Sequence, residues 1–154
     1  MTDKVIYYAS IFFREVNKLA EYIKAYIITL IIFFAVDLVW LGVIAKDMYR
    51  NKIGFIMKDS FNMTAAVAFY MVFIIGLIFF VINKAVIMGS WQYALFAGMF
   101  FGFITYLTYD MTNLATLKDW PLSITVIDII WGSVLNLSVL LISYFILSYL
   151  NYFK

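Results

Sequence analysis

Four stretches of this 154-residue chain each hold about twenty predominantly apolar residues. That is the length at which an α-helix crosses the ~30 Å hydrocarbon core of a bilayer. The first runs from Ala25 to Ile44, the second from Met63 to Ile82 and the third from Trp91 to Tyr109. The fourth starts at Pro121 and reaches about residue 145, with apolar character continuing to Leu150. Composition agrees, because 66% of residues are hydrophobic and 13% charged, against about 45–50% and 25% in a soluble domain. The pattern predicts an all-α membrane protein, a four-transmembrane-helix bundle over residues 25–154.

Residues 1–24 read differently. Val5, Tyr8, Phe12, Leu19 and Ile23 recur at helical intervals with Arg14, Glu15, Lys18, Glu21 and Lys24 between them. This predicts an N-terminal amphipathic helix lying in the membrane interface. The charges and the lack of a small-residue cleavage site argue against a cleaved signal peptide.

Four spans put both termini on one side. Lys4, Arg14, Lys18, Lys24, Lys84 and Lys154 fall there, and Lys46, Arg50, Lys52, Lys58 and Lys118 fall on the other. So even a split barely biases orientation, and the lean is to cytoplasmic termini. The net charge of +2 gives no reason to expect nucleic acid as a partner. There is no Cys and no His. Disulfides, thiolate or imidazole metal ligation and Ser-His or Cys-His catalysis are therefore excluded. Acid–base chemistry is left to Asp, Glu, Lys and Tyr. Hard-cation ligation by Asp37, Asp110, Asp128 and Asn113 has no spacing motif behind it, so no metal or cofactor is expected.

Two aspartates interrupt the apolar runs, and each is followed three residues later by a tryptophan: Asp37 with Trp40, and Asp128 with Trp131. An ionisable group at the bilayer centre costs about 2.5–3.5 kcal/mol on insertion scales and marks a candidate functional site. Asp37 lies seven residues before the end of the first span and Asp128 seven after the start of the fourth. Both should sit roughly 10 Å below the same surface at 1.5 Å per residue. Asp110 ends the third span on that side.

In the third span, Ala94, Gly98, Gly102, Tyr106 and Asp110 recur every four residues, and Gly98–Gly102 matches the close-packing GxxxG pattern. Packing within the chain is the favoured use of that ridge. Asp128, Gly132 and Asn136 share a face of the fourth span. The segment Tyr106–Lys118 is rich in phenol, hydroxyl, amide and carboxylate groups and predicts a re-entrant or tightly packed loop. Asp119 before Pro121 is placed to cap the fourth helix, while Trp91 and Trp120 fall at interface positions.

These residues define one candidate ligand site: Asp37, Trp40, Tyr106, Tyr109, Asp110, Asn113, Asp128 and Trp131. Asp37 and Asp128 would take a cation or proton, Tyr106 and Asn113 would orient a ligand, and Trp40 and Trp131 would form walls. Lys46, Arg50 and Lys118 are candidates for holding an anionic head group at the surface. The expected partners are the lipid bilayer, a lipid or small cationic ligand, and a homodimer or larger membrane complex. Binding or transport of a small or amphipathic ligand leads the functional readings. A membrane-embedded enzyme of lipid or isoprenoid metabolism and an accessory subunit are the alternatives.

The runs Asp37–Gly42, Ala45-Lys46 with Tyr49-Arg50, Thr105–Leu117 with Trp120-Pro121, and Asp128–Gly132 resemble the family of small bacterial membrane proteins known as domain of unknown function 2177. The resemblance spans roughly Ala20 to Ser143, with Thr105–Leu117 its most specific element. It implies a four-helix inner-membrane protein and no particular activity, and the N-terminal amphipathic stretch is an addition to the family pattern.

Overall fold

The computed structural model describes Thr2–Phe153, with side chains from Lys4 onward; Met1 and Lys154, with the charge counted there, lie outside the described residues. Helix α1 spans Thr2–Val39 and relaxes into a π-helical turn at Trp40–Ile44. A short helix α2 (Lys46–Ile53) and a 3₁₀ turn (Gly54–Ile56) follow. Next come α3 (Met63–Leu77), a second π-turn (Ile78–Ile82) and α4 (Asn83–Met88). The chain ends in α5 (Trp91–Thr116) and α6 (Leu122–Tyr149). Among the described residues, four helical stretches are long and apolar enough to cross a membrane: Lys4–Ile44, Met63–Met88, Trp91–Thr116 and Leu122–Tyr149.

Several boundaries differ from the sequence expectation. No break separates an interfacial helix from the first span, and α1 passes through Lys24 uninterrupted. Its 38 residues contain neither Gly nor Pro, so nothing local ends the helix. At 1.5 Å per residue it is about 57 Å long, well beyond the bilayer core.

The expected loop over Tyr106–Lys118 is also absent, because α5 continues to Thr116. Thr108, Thr112 and Thr116 each donate their hydroxyl to the carbonyl four residues earlier, at 2.6–2.8 Å. Polar side chains that satisfy themselves along the helix give it no reason to unwind.

Between α3 and α5 the backbone stays helical through α4 and turns at Gly89, whose φ of 61° is the left-handed conformation that suits glycine. Asp119 does not cap α6, since no side-chain bond caps that end. Trp120 turns inward instead of sitting in an aromatic belt, and its Nε1 donates to Thr125 Oγ1 at 3.1 Å.

The core follows a four-residue repeat in three helices. Ala25, Thr29, Phe33 and Asp37 are the buried positions of α1. Ala94, Gly98, Gly102 and Asp110 are those of α5, and Ile124, Asp128, Gly132, Asn136, Leu140 and Tyr144 form the main row of α6. Rows of this kind interdigitate as ridges in grooves. A methyl on Gly102 would strike the Gly132 carbonyl and Asn136, and one on Gly132 would strike the Tyr106 ring. At Gly98 a methyl would meet Leu140. The glycine ridge therefore serves packing of α5 on α6 within the chain.

Candidate functional site

Helices α1, α5 and α6 bring their aspartates to one end of the bundle, and two of them are met by phenols from elsewhere. Asp37 accepts a hydrogen bond from Tyr70 Oη of α3 at 2.9 Å. Asp128 accepts one from Tyr49 Oη of α2 at 2.6 Å. Tyr49 in turn accepts from Trp40 Nε1 at 3.2 Å. The Trp40 and Trp131 rings stack face to face, with centroids 4.2 Å apart and planes 7° from parallel. This stack ties the end of α1 to α6. The Trp131 indole N–H lies within electrostatic reach of Asp37 but outside hydrogen-bond geometry.

Asp110 has no such partner. It is fully buried, and neither carboxylate oxygen accepts a hydrogen bond. It lies close enough to Asp128 for the two to interact electrostatically. Tyr106, one helical turn earlier on α5, is within electrostatic range of Asp37, Asp128, Tyr49 and Tyr70. Asn113, one turn later, keeps a buried Nδ2 without an acceptor. Buried polar groups are normally paired, so this end of the bundle carries unspent donor and acceptor capacity.

Tyr106 also faces outward. With Phe69, Phe73, Thr105 and Tyr109 it lines a groove of ≈ 360 Å³ between α3 and α5. The lining is almost wholly apolar apart from the Thr105 and tyrosine hydroxyls.

Tyr109 is 61% exposed and lies edge-on to Trp120. It belongs to this groove and not to the carboxylate cluster. Lys46, Arg50 and Lys118 are all exposed, the first two on α2 and the third in the α5–α6 turn.

Sequence reasoning missed Tyr49 and Tyr70. Neither lies at a helical interval from an aspartate, and only the tertiary fold pairs them. Tyr49 sits outside the spans on α2. Burial, and next the hydrogen bond to Asp128, hold its phenol protonated well above the ordinary tyrosine range.

No curated protein and no solved structure matches this chain. Residues 22–145 match the model of a family described as predicted membrane protein (DUF2177), and the chain belongs to that family.

Proposed function

We propose that this protein binds a small amphipathic cation, its apolar body in the α3–α5 groove and its charged end at the carboxylate cluster. The carrying observation is the double role of Tyr106, which lines the apolar groove and lies within electrostatic range of Asp37 and Asp128. A ligand in the groove thus has the acidic cluster behind that ring. Asp110 supports the reading, since two buried and unpartnered carboxylate oxygens suit a cation or a hydrogen-bond donor. A groove of ≈ 360 Å³ falls within the range of small-molecule sites, about 300–1,000 Å³. In this reading Tyr49 and Tyr70 hold Asp128 and Asp37 in place, and the Trp40–Trp131 stack closes the cluster towards α2.

The test uses two probes of equal shape and opposite charge, tetraphenylphosphonium and tetraphenylborate. Each is titrated into the purified protein in detergent while tryptophan fluorescence is followed. The phosphonium should bind, and Asp110→Asn and Asp128→Asn should each weaken it by about tenfold or more, the loss of one carboxylate's attraction for the cation. Melting temperatures should stay close to the parent's. Equal binding of the two probes, or unchanged phosphonium affinity in both variants, would overturn the reading.

A further inference from the structure

The opposite end of the bundle carries a second arrangement with a different chemical character. A cavity of ≈ 280 Å³ lies between α1 and α4 under the C-terminus, lined by Lys18, Glu21, Tyr22, Asn83, Ile87 and Phe153. Asn83 Nδ2 donates to Tyr22 Oη at 2.6 Å, while its Oδ1 is buried and accepts nothing. Glu21 accepts the Phe153 backbone N–H through Oε2 at 3.1 Å and keeps Oε1 for another donor. Lys18 is exposed and, among the described residues, engaged only with Glu15, at 3.1 Å. Exposed pairs of this kind are weak and exchange easily.

The cavity therefore offers one cation beside two acceptors, one of them buried and unfilled. Tyr22 also lines an apolar groove of ≈ 150 Å³ with Tyr26, Ile75, Ile78 and Phe79. That groove runs from the cavity along the α1–α3 seam towards the membrane interior, since residue numbers rise along α1 and fall along α3.

We infer that this end of the protein is a binding site for a phospholipid with a primary-ammonium head group, of the phosphatidylethanolamine type. Lys18 takes the phosphate, Asn83 Oδ1 and Glu21 Oε1 take the ammonium, and an acyl chain follows the Tyr26–Ile75 groove. A choline head group has no N–H to give these acceptors, and a glycerol head group brings no cation to Glu21.

The experiment measures lipid binding to the full-length protein in detergent by native mass spectrometry. The probes are phosphatidylethanolamine, phosphatidylcholine and phosphatidylglycerol with identical chains, and chain-free glycerophosphoethanolamine. Phosphatidylethanolamine should bind about fivefold or more tighter than the other two lipids, a factor that one or two net hydrogen bonds supply. The chain-free head group should bind far more weakly. Asn83→Leu should reduce the preference severalfold, leaving only the part that Glu21 supplies. Lys18→Gln, at an exposed position that cannot harm folding, should weaken all three lipids together and keep their order. Ile75→Trp should lower affinity for intact lipid alone. Asp110→Asn should leave every one of these values unchanged, which separates this site from the carboxylate cluster. Equal affinities for the three lipids, a preference undiminished by Asn83→Leu, or glycerophosphoethanolamine binding as tightly as the lipid would each overturn the inference.

Discussion

Two seams of this bundle are built on opposite plans. Where α5 meets α6, glycines let backbone touch backbone: a single added methyl at Gly102 would collide with the Gly132 carbonyl. Where α1 meets α3, large rings fill the space, with Phe33 edge-on to Tyr70 and Phe73 at 5.7 and 5.6 Å and Phe34 against Tyr70 at 4.7 Å. Lipid tails are as apolar as the side chains they surround, so packing and hydrogen bonding hold such helices together. The glycine seam maximises close contact and leaves no room. The aromatic seam leaves grooves beside it, and both candidate ligand sites border α3. A bundle of this design packs one pair of helices backbone to backbone and keeps its open space beside the other.

The comparison is most open to attack at its glycines. Gly102→Ala should destabilise the protein severely, since the obstructing atoms are backbone and Asn136 and overpacking typically costs about 1–3 kcal/mol or more. The check is a melting curve in detergent, and a near-normal one would dissolve the distinction between the seams. Tyr70→Phe attacks the other side. It leaves a buried Asp37 oxygen without its donor, a change worth about 1–3 kcal/mol. Chemical denaturation should show a loss smaller than that of Gly102→Ala. Gly76→Ala is the control, because its added methyl would meet only the Phe101 ring edge at an ordinary 3.5 Å. There stability should hold or rise by up to about 1 kcal/mol, the helix preference for Ala over Gly.

The smallest effect concerns α2. Tyr49 is held protonated in the fold, so its contribution is complete below the ordinary tyrosine value of about 10 and is lost as pH rises above it. The stability advantage of the parent over Tyr49→Phe, read by chemical denaturation, should be constant below that pH and shrink above it.

How far this was legible in the sequence can be judged from particular residues. The spans, the Asp37–Asp128 pair and the Ala94–Asp110 ridge are local patterns of hydropathy and spacing, and these survive folding intact. The segment after Tyr106 misled because polar richness resembles a loop. The four-residue spacing of Thr108, Thr112 and Thr116 was the available signal that these hydroxyls bond back into a continuing helix. Tyr49 and Tyr70 lay beyond local reading altogether. Their partners are 79 and 33 residues distant, and nothing in their own neighbourhoods sets them apart from the other ten tyrosines.

The unbroken α1 has a mechanical consequence. Its first twenty residues reach about 30 Å past the level where Glu21 and Tyr22 meet the C-terminus and α4. The same rod carries Asp37 near its other end, and its first departure from regular helix is the turn at Trp40. Glu21 and Tyr22 are thus the outermost hydrogen-bonded ties of the rod among the described residues. Below them Ala25, Thr29, Phe33 and Asp37 clamp it in the bundle without a joint, so the arm beyond is the part of α1 free to be moved.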